Sequence, residues 1–368
     1  MLKRIALIQV LAGGAFLTSF TYISIMGDEV GLSRTEIALM ASLYAVAQFF
    51  ASYLFGRLAD KHGKRKILLI GLFSLTFLVG LQAFGSGTAS LTMFRFLAGI
   101  GFGMYPAALA AYAFAANVGM GKFSSFNSLG WGSALLIAGP AADMFGVTTV
   151  FFMASGFVLV SLFVALTLDP IPEVKVISPL IPFKLIVKNR EIIFPFILRH
   201  ATANSIWVLW PLFLREEIGL NLFQIGLVQA TNAFTQFIAM YLLGDRIGPR
   251  KAVGIGLILS SIAAFSFIIV GSFPLFLITQ IVLGLSWANL YVGSLRSMLM
   301  KNRERASSVG LLNSSMSMSG LLGPLLALTI VELLPDIPYE APMLLAGISG
   351  FLAFVYYVNR GIRRVPAA

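Results

Sequence analysis

Long apolar stretches alternate with short polar breaks along the whole chain. A helix needs about 20 predominantly apolar residues to cross the hydrocarbon core of a bilayer. Stretches close to that length lie between clusters of Lys and Arg or breaks of Pro, Gly and acidic residues. There are twelve of them, at 5–26, 36–57, 67–85, 90–114, 124–143, 147–168, 192–214, 222–243, 252–270, 274–296, 306–331 and 341–358. The pattern predicts an all-α integral membrane protein with twelve transmembrane helices.

The composition agrees with this class and argues against several others. Of the 368 residues, 58% are hydrophobic and 11% are charged, whereas soluble domains carry about 25% charged residues. The net charge of +11 comes from short basic clusters between apolar stretches, and a nucleic-acid site needs a water-exposed basic face. With no Cys, and His62 and His200 as the two histidines, we expect no metal site. The expected partners are the lipid bilayer and a small-molecule substrate, without nucleic acid.

The basic residues also predict the orientation of the chain. Cytoplasmic loops of membrane proteins carry an excess of Lys and Arg. With the N-terminus in the cytoplasm, 22 of the 26 Lys and Arg lie on the cytoplasmic side, while Arg34 and Arg215 lie outside. The sequence therefore predicts that both termini face the cytoplasm, in a multi-pass protein of the plasma membrane.

Three features of the first half of the chain recur in the second half at nearly constant spacing. The recurring pairs are 28–33 with 216–221, 60–66 with 245–251, and 139–140 with 323–324, at offsets of 188, 185 and 184. The first pair leads into two helix N-termini with the spacing of a capping box, Ser33/Glu36 and Asn221/Gln224. The recurrence predicts two pseudo-symmetric six-helix bundles, 1–168 and 191–368, joined by a cytoplasmic linker, 169–190. Repeats of this kind are typical of secondary transporters with a substrate site near the bilayer midplane.

The loop between spans 2 and 3 resembles the signature loop of the major facilitator superfamily. It reads Gly56-Arg-Leu-Ala-Asp60-Lys-His-Gly63-Lys-Arg65-Lys66. Arg95-x-x-x-Gly99-x-Gly101 in span 4 is similar to a second motif of that superfamily. Gly139-Pro140 in span 5 partly resembles the antiporter motif of its drug-efflux families, although Asp143 stands where that motif has a glycine. The resemblance covers the whole chain, and it implies the fold of that superfamily, an ion gradient as driving force without a cofactor, and a monomer.

The resemblance further implies a gate on the cytoplasmic side. A negative charge at Asp60, the C-terminus of span 2, is unfavourable to its own helix dipole, and the family pattern implies a partner at the start of span 11, within 305–308. Free amides at a helix N-terminus suit a carboxylate. The residues assigned to this gate are Gly56, Asp60, Gly63, Arg65 and Lys66, and through the internal repeat Asp245, Gly248 and Arg250. The alternative is that these residues are only loop charges of the kind that the excess of Lys and Arg on the cytoplasmic side produces, without a role in a gate.

Two arginines lie inside predicted spans, and the spans hold no deep Asp or Glu that would neutralise them. Arg199 in span 7 could receive an anion, because its planar fork matches a carboxylate or a phosphate. It could instead cap carbonyl groups of a neighbouring helix or extend to the cytoplasmic interface. His200 beside it could carry a proton near neutral pH or only pack between helices. For Arg95 in span 4 the resemblance implies a part in proton coupling or in the structure of the cavity.

Other polar and aromatic side chains of the spans could contact a substrate or connect neighbouring helices. These candidates are Asn204, Trp207, Asn232, Gln236, Asn289 and Asn313. The pairs Gly139-Pro140 and Gly323-Pro324 predict helix kinks, because proline removes a helical hydrogen bond.

Two substrate classes stay open at this point. The signature loop and the Gly-Pro pair of span 5 favour proton-coupled efflux of drug-like compounds or metabolites. Arg199, His200 and Arg95 favour uptake or exchange of organic anions, such as carboxylates or phosphate esters. A membrane-embedded transferase is a remote alternative, since the acidic pairs 28–29 and 216–217 could hold a metal and a diphosphate. The predicted topology places both pairs outside and the repeat accounts for them, so we expect a transporter and no enzyme.

Overall fold

The computed structural model describes residues 1–172 and 175–362, which form thirteen α-helices and one short 3-10 helix, with no strand among them. The helices are α1 Leu2–Glu29, α2 Arg34–His62, α3 Lys64–Gly80, α4 Thr88–Met104, α5 Pro106–Ala115, α6 Met120–Phe145, α7 Thr148–Leu166, α8 Phe183–Glu216, α9 Leu222–Leu243, α10 Pro249–Ile269, α11 Phe273–Lys301, α12 Arg305–Leu333 and α13 Glu340–Ile362. The 3-10 helix Leu81–Phe84 follows α3. Glu173 and Val174 of the predicted linker, and the basic residues Arg363 and Arg364, lie outside the described residues.

Every predicted span coincides with a helix, and span 4 is shared by α4 and α5. Within the described residues, nine helical segments are long and apolar enough to cross a membrane. The number is ten if the two parts of the bent helix α8 are counted together as one span. Helices α6 and α9 lie at the other two predicted spans. The all-α membrane class is therefore confirmed, while the count of twelve spans and the orientation stay predictions.

Prolines account for two interruptions of the helices. Pro106 has no amide hydrogen to donate back into α4, so that helix ends at Met104 and α5 begins with the proline at its first position. Helix α8 bends by 46° between Trp207 and Leu209. The cause is Pro211, which cannot donate a hydrogen bond to the carbonyl group four residues earlier.

The two predicted capping boxes are confirmed. The Ser33 hydroxyl accepts the Glu36 amide at 3.3 Å, and the Glu36 carboxylate accepts the Ser33 amide at 2.8 Å. Asn221 and Gln224 form the same pair of bonds at 2.9 and 3.1 Å. Each box satisfies amides that a helix start otherwise leaves without a partner.

The described residues divide into two compact units. Unit 1 comprises the described residues within Met1–Pro182 and Met298–Ser317, and unit 2 comprises those within Phe183–Ser297 and Met318–Ala368. Helix α12 therefore begins in unit 1 and continues into unit 2. The division of the chain into 1–168, 169–190 and 191–368 stays a prediction.

Within each unit, small residues let helix backbones approach closely. In unit 1 a Cβ on Gly130 of α6 would overlap the backbone of Val10 in α1, and in unit 2 a Cβ on Gly256 of α10 would overlap the backbone of Leu290 in α11. Close approach through small residues is typical of membrane helices, because van der Waals contact replaces the hydrophobic effect between them.

Large apolar side chains are exposed along the helices. Phe50 in α2, Phe163 in α7 and Leu328 in α12 are 65%, 59% and 60% exposed. Soluble monomers rarely expose large contiguous apolar patches, whereas a bilayer covers such residues.

Candidate functional site

Asp60 lies against the start of α12 inside unit 1. Its side chain is buried, at 2% exposure. One carboxylate oxygen accepts the Ala306 amide at 3.1 Å, and the other accepts the Ser307 amide at 2.7 Å and the Ser307 hydroxyl at 2.8 Å. The first amides of a helix have no partner within the helix and carry its positive dipole end, so they suit a buried carboxylate. The structure thus has Asp60 at the position that the family pattern implied.

Small residues bring α2 and α12 together beside this contact. A Cβ on Gly56 would overlap the Ala306 carbonyl oxygen, and a Cβ on Gly310 would overlap the Ser52 carbonyl oxygen. One turn further along α12, the Ser314 hydroxyl donates to a carbonyl oxygen of α2 at 2.6 Å. The two helices therefore pack backbone to backbone, and Gly56 and Gly310 together permit it.

The rest of the signature loop is fixed by the backbone conformation of Gly63 and by a hydrogen bond from Arg65 to α7. Gly63 has a φ of +108°, a conformation that favours glycine, and it separates α2 from α3. Arg65 donates to the Leu166 carbonyl oxygen at the end of α7, at 2.8 Å. Lys66 is exposed. Arg65 thus steadies the loop in this structure, and Lys66 faces outward.

The second copy of the loop differs from the first. Asp245 is half-buried, and Gly248 and Arg250 are exposed. Gly248 has a φ of −58°, which any residue adopts, and it precedes the proline that starts α10. The loop is held by Arg296 of α11, which donates to carbonyl oxygens of Gly244 and Ile247 at 2.9 and 2.6 Å. A gating role of Asp245, Gly248 and Arg250 stays a prediction.

The linker contributes a residue that the sequence did not single out. Ser178 is 1% exposed, and its hydroxyl lies 2.7 Å from the Ser307 hydroxyl. Arg57 of α2 donates to the Ser178 carbonyl oxygen at 2.6 Å. A single serine in a Pro-containing segment carries no local signal for such a role, since its partners lie 121 and 129 residues away.

Arg199 and His200 form a cluster with aromatic rings in unit 2. Arg199 is 4% exposed, its Nε donates to the Ser260 hydroxyl of α10, and its Cζ lies 5.8 Å from the Trp287 ring centroid. His200 stacks on Trp287 at 5.0 Å, and Trp287 stacks on Tyr291 at 5.4 Å. Within the described residues no carboxylate forms an ion pair with Arg199. A hydroxyl and an aromatic face therefore take the place of a counter-ion.

Arg95 has a comparable setting in unit 1. It is 1% exposed, and its Nη1 donates to the Ser19 hydroxyl and to the Gln82 amide oxygen, both at 3.1 Å. Its Cζ lies 3.8 Å from the ring centroid of Tyr44. In the part of the chain that the structure describes, no carboxylate forms an ion pair with Arg95. Both interior arginines are thus held by neutral groups.

The remaining polar candidates bond mainly within their own helices. Asn204 and Asn289 donate to carbonyl oxygens four residues earlier in their own helices, each at 2.8 Å. Asn232 of α9 donates to the Gln280 carbonyl oxygen of α11 at 3.4 Å and accepts a bond from Gln236. These contacts connect helices or bind a helix to itself, as polar groups in membrane proteins commonly do.

Trp207 and Asn313 belong to different units. Trp207 packs against Trp210 and Phe267 in the apolar core of unit 2, with ring centroids 5.6 and 6.4 Å apart. Asn313 is half-buried in α12 within unit 1. A role of Trp207 or Asn313 in substrate contact stays a prediction.

The two Gly-Pro pairs lie inside helices. Pro140 is within α6, and Pro324 is within α12. A Cβ on Gly139 would make an ordinary contact with the Tyr22 hydroxyl, at 3.5 Å, whereas a Cβ on Gly323 would overlap Asn204 of α8. Kinks at these prolines stay predictions.

Comparison with known proteins identifies relatives. The model of the Major Facilitator Superfamily matches residues 5–201 and 192–367. The quinolone resistance protein NorA of Staphylococcus aureus is 26% identical over 150 residues, which are 39% of this chain and 37% of that protein. The multi-drug resistance efflux pump PmrA of Streptococcus pneumoniae is 24% identical over 273 residues, 66% of each chain. The matches thus span from 37% to 66% of the length of these relatives.

Among solved structures, the crystal structure of the human organic anion transporter MFSD10 (TETRAN) is similar, with a TM-score of 0.78. The likeness covers 97% of this chain and 99% of that one, at 16% sequence identity. At that identity the likeness concerns the fold.

Proposed function

Because the chain belongs to the Major Facilitator Superfamily, we propose that it exports small drug-like solutes or metabolites from the cytoplasm by alternating access, in exchange for protons. Membership makes the chain a transporter of the cell membrane and not an enzyme, which sets the transferase alternative aside. Export of drug-like solutes is supported by two relatives, one named a quinolone resistance protein and the other a multi-drug resistance efflux pump.

The observation that carries alternating access is the contact of Asp60 with the start of α12. The contact holds the first part of α12 on α2. Opening the cytoplasmic side separates these two helices and exposes the carboxylate and the helix amides to water. Water can satisfy both groups, so the contact exchanges one set of hydrogen bonds for another and can close again. We assign Asp60 with Gly56, Gly63 and Arg65 to this gate.

Transport by purified protein in proteoliposomes tests the proposal. An inside-acidic or inside-alkaline pH gradient is imposed, and the movement of lipophilic cations and zwitterionic drugs is compared with that of small neutral solutes. Gradient-driven movement of the drugs, abolished by a protonophore, is the expected result. Drug transport at the same rate with and without the pH gradient would refute proton exchange. A complete lack of drug transport would refute the assigned substrate class.

A second candidate function is transport of organic anions. It is favoured by the interior arginines, because Arg199 is buried in unit 2 with a hydroxyl and a ring as partners and no ion pair among the described residues. A carboxylate or phosphate ester of the substrate would supply the missing counter-charge through a bidentate contact. The stacked rings of His200, Trp287 and Tyr291 would lie against an aromatic part of the substrate.

Substitution of Arg199 separates the two candidates. In the same proteoliposomes, Arg199→Gln is compared with Arg215→Gln, which removes an exposed arginine at the end of the same helix. If anions are the substrate, Arg199→Gln abolishes anion exchange and Arg215→Gln leaves it intact. Drug export that survives Arg199→Gln, with no anion exchange by the unsubstituted protein, would exclude the anion candidate.

A further inference from the structure

The cytoplasmic contact has a third member beyond α2 and α12. Ser178, in the linker between α7 and α8, places its hydroxyl 2.7 Å from that of Ser307. Ser307 is 0% exposed and contacts Asp60 through both its amide and its hydroxyl. The three residues therefore form one buried chain of hydrogen bonds within unit 1.

The hydroxyl hydrogens that are available decide which group donates in each bond of this chain. A serine hydroxyl has one hydrogen to donate and can accept bonds at its oxygen. The Ser307 hydrogen is used toward the Asp60 carboxylate, which can only accept while it is ionised. The hydrogen between the two serines must then come from Ser178. Ser178 donates to Ser307, and Ser307 donates to Asp60, an arrangement in which each bond polarises and strengthens the next.

Helix α2 holds this part of the linker in place through three further bonds. The Val176 amide donates to the Asp60 carbonyl oxygen at 3.0 Å, Arg57 donates to the Ser178 carbonyl oxygen at 2.6 Å, and the Tyr53 hydroxyl donates to the Pro179 carbonyl oxygen at 2.7 Å. The linker thus follows the end of α2. This placement presents the Ser178 side chain to the start of α12.

We propose that Ser178 is a positioning residue of the cytoplasmic gate, which orients the Ser307 hydroxyl toward Asp60 and so favours the closed contact. The inference rests on the proposed gating function of Asp60. Without Ser178, the Ser307 hydroxyl loses the donor that fixes its orientation and can rotate away from Asp60. The Asp60 carboxylate then loses one oriented donor, and the linker loses its side-chain bond to α12.

The native chain has no cysteine, so spin labels can be attached to two introduced cysteines without background. Lys61 at the end of α2 and Arg303 just before α12 are both exposed. In a Lys61→Cys, Arg303→Cys protein in nanodiscs, a spin label is attached to each cysteine. Pulsed electron–electron double resonance then measures the distance between the labels, which reports the separation of the two helices. Ser178→Ala is measured in this background beside Ser178→Thr, which keeps the hydroxyl.

Two further variants serve as controls. Ile177→Ala changes the neighbouring linker residue, whose side chain is 75% exposed. Asp60→Asn tests the gate itself. Melting temperatures of all variants are measured to show that the fold is retained.

The loss of one buried hydrogen bond corresponds to about a fivefold change in an equilibrium. We expect Ser178→Ala to raise the ratio of long to short distances by about fivefold, and Ser178→Thr and Ile177→Ala to leave it close to the starting value. If Asp60→Asn shifts the distances and Ser178→Ala does not, the inference is wrong and the gate stands. An equal shift in Ser178→Ala and Ser178→Thr also overturns it, because the hydroxyl is then not the active group. If Asp60→Asn produces no shift, the proposed gate fails and the inference with it.

Discussion

Replacing Asp60 with Asn tests how far the contact between α2 and α12 depends on the negative charge. One carboxylate oxygen accepts the Ser307 amide and hydroxyl at 2.7 and 2.8 Å, and the other accepts the Ala306 amide at 3.1 Å. Asn has a single acceptor oxygen, and it keeps more bonds by turning that oxygen toward Ser307. Its NH2 group then faces the Ala306 amide, donor against donor, and one buried amide loses its partner.

The size of the effect follows from the bonds that change. A hydrogen bond to a charged group contributes about 2 kcal/mol and a neutral one about 1 kcal/mol. The substitution removes the bond from the Ala306 amide, which costs about 2 kcal/mol. It also converts the two bonds from Ser307 into neutral ones, which costs about 1 kcal/mol each, so the total loss is about 4 kcal/mol. Burying an amide in place of a carboxylate offsets about half of this loss, since the neutral group costs less to remove from water. The expected net change is about 2 kcal/mol, or roughly 30-fold in the equilibrium between the closed and open contact.

Hydrogen–deuterium exchange measures this change directly. The amides of Ala306 and Ser307 have no partner within α12, so their protection depends on Asp60. We expect these amides to exchange roughly 30-fold faster in Asp60→Asn. The matched control is Asp169→Asn, which changes a carboxylate that is 67% exposed and paired with Arg4 at 3.4 Å. Unchanged exchange in Asp60→Asn, or equal acceleration in the control, would refute the reasoning.

Three further predictions concern stability, measured as thermal or pH-dependent unfolding in detergent. Ser33→Ala removes a capping box and is expected to destabilise the protein by about 1 kcal/mol. Gly256→Ala forces a methyl group against the backbone of Leu290 and is expected to cost about 1–3 kcal/mol. The hydrogen bond to Glu216, with burial and nearby negative charge, raises the pKa of Tyr339 from 10.0 to about 12. The phenol therefore stabilises the fold below pH 10.0, this contribution is lost between pH 10.0 and about 12, and Tyr339→Phe removes that loss.

Matched variants check these expectations. Gly226→Ala adds a methyl group to a helix where nothing lies within 4 Å, so it should leave the melting temperature unchanged or raise it. Equal destabilisation by Gly226→Ala and Gly256→Ala would contradict the packing argument. A Ser33→Thr variant keeps the capping oxygen, and a loss as large as that of Ser33→Ala would contradict the capping argument. An unchanged alkaline transition in Tyr339→Phe would show that other groups control it.

The sequence by itself determined the class of the protein, the approximate position of each helix and two capped helix starts, because these depend on residues that are close together in the chain. A stretch of about 20 apolar residues crosses a bilayer whatever it packs against. The bond between Ser33 and Glu36 spans three residues. The break at Pro106 is also a local effect, but it was not predicted, because the apolar pattern continues through 90–114. The contact of Asp60 with α12 was expected through the family resemblance alone, since its partners lie 246 and 247 residues away.

Only the tertiary structure decided what surrounds the polar groups of the spans and the gate. Arg199 donates to Ser260, 61 residues away, and Ser178 meets Ser307 across 129 residues. Many serines lie in the helices, and each can bond to a carbonyl oxygen of its own helix, so nothing local distinguishes Ser260 from the others. Ser178 lies in the linker, where its own neighbours in sequence give no sign of a partner in α12. The hydrocarbon of a bilayer offers no hydrogen bonds, so any partner of a buried polar group comes from the protein. Which partner it finds depends on how the helices pack, and that is a property of the folded chain.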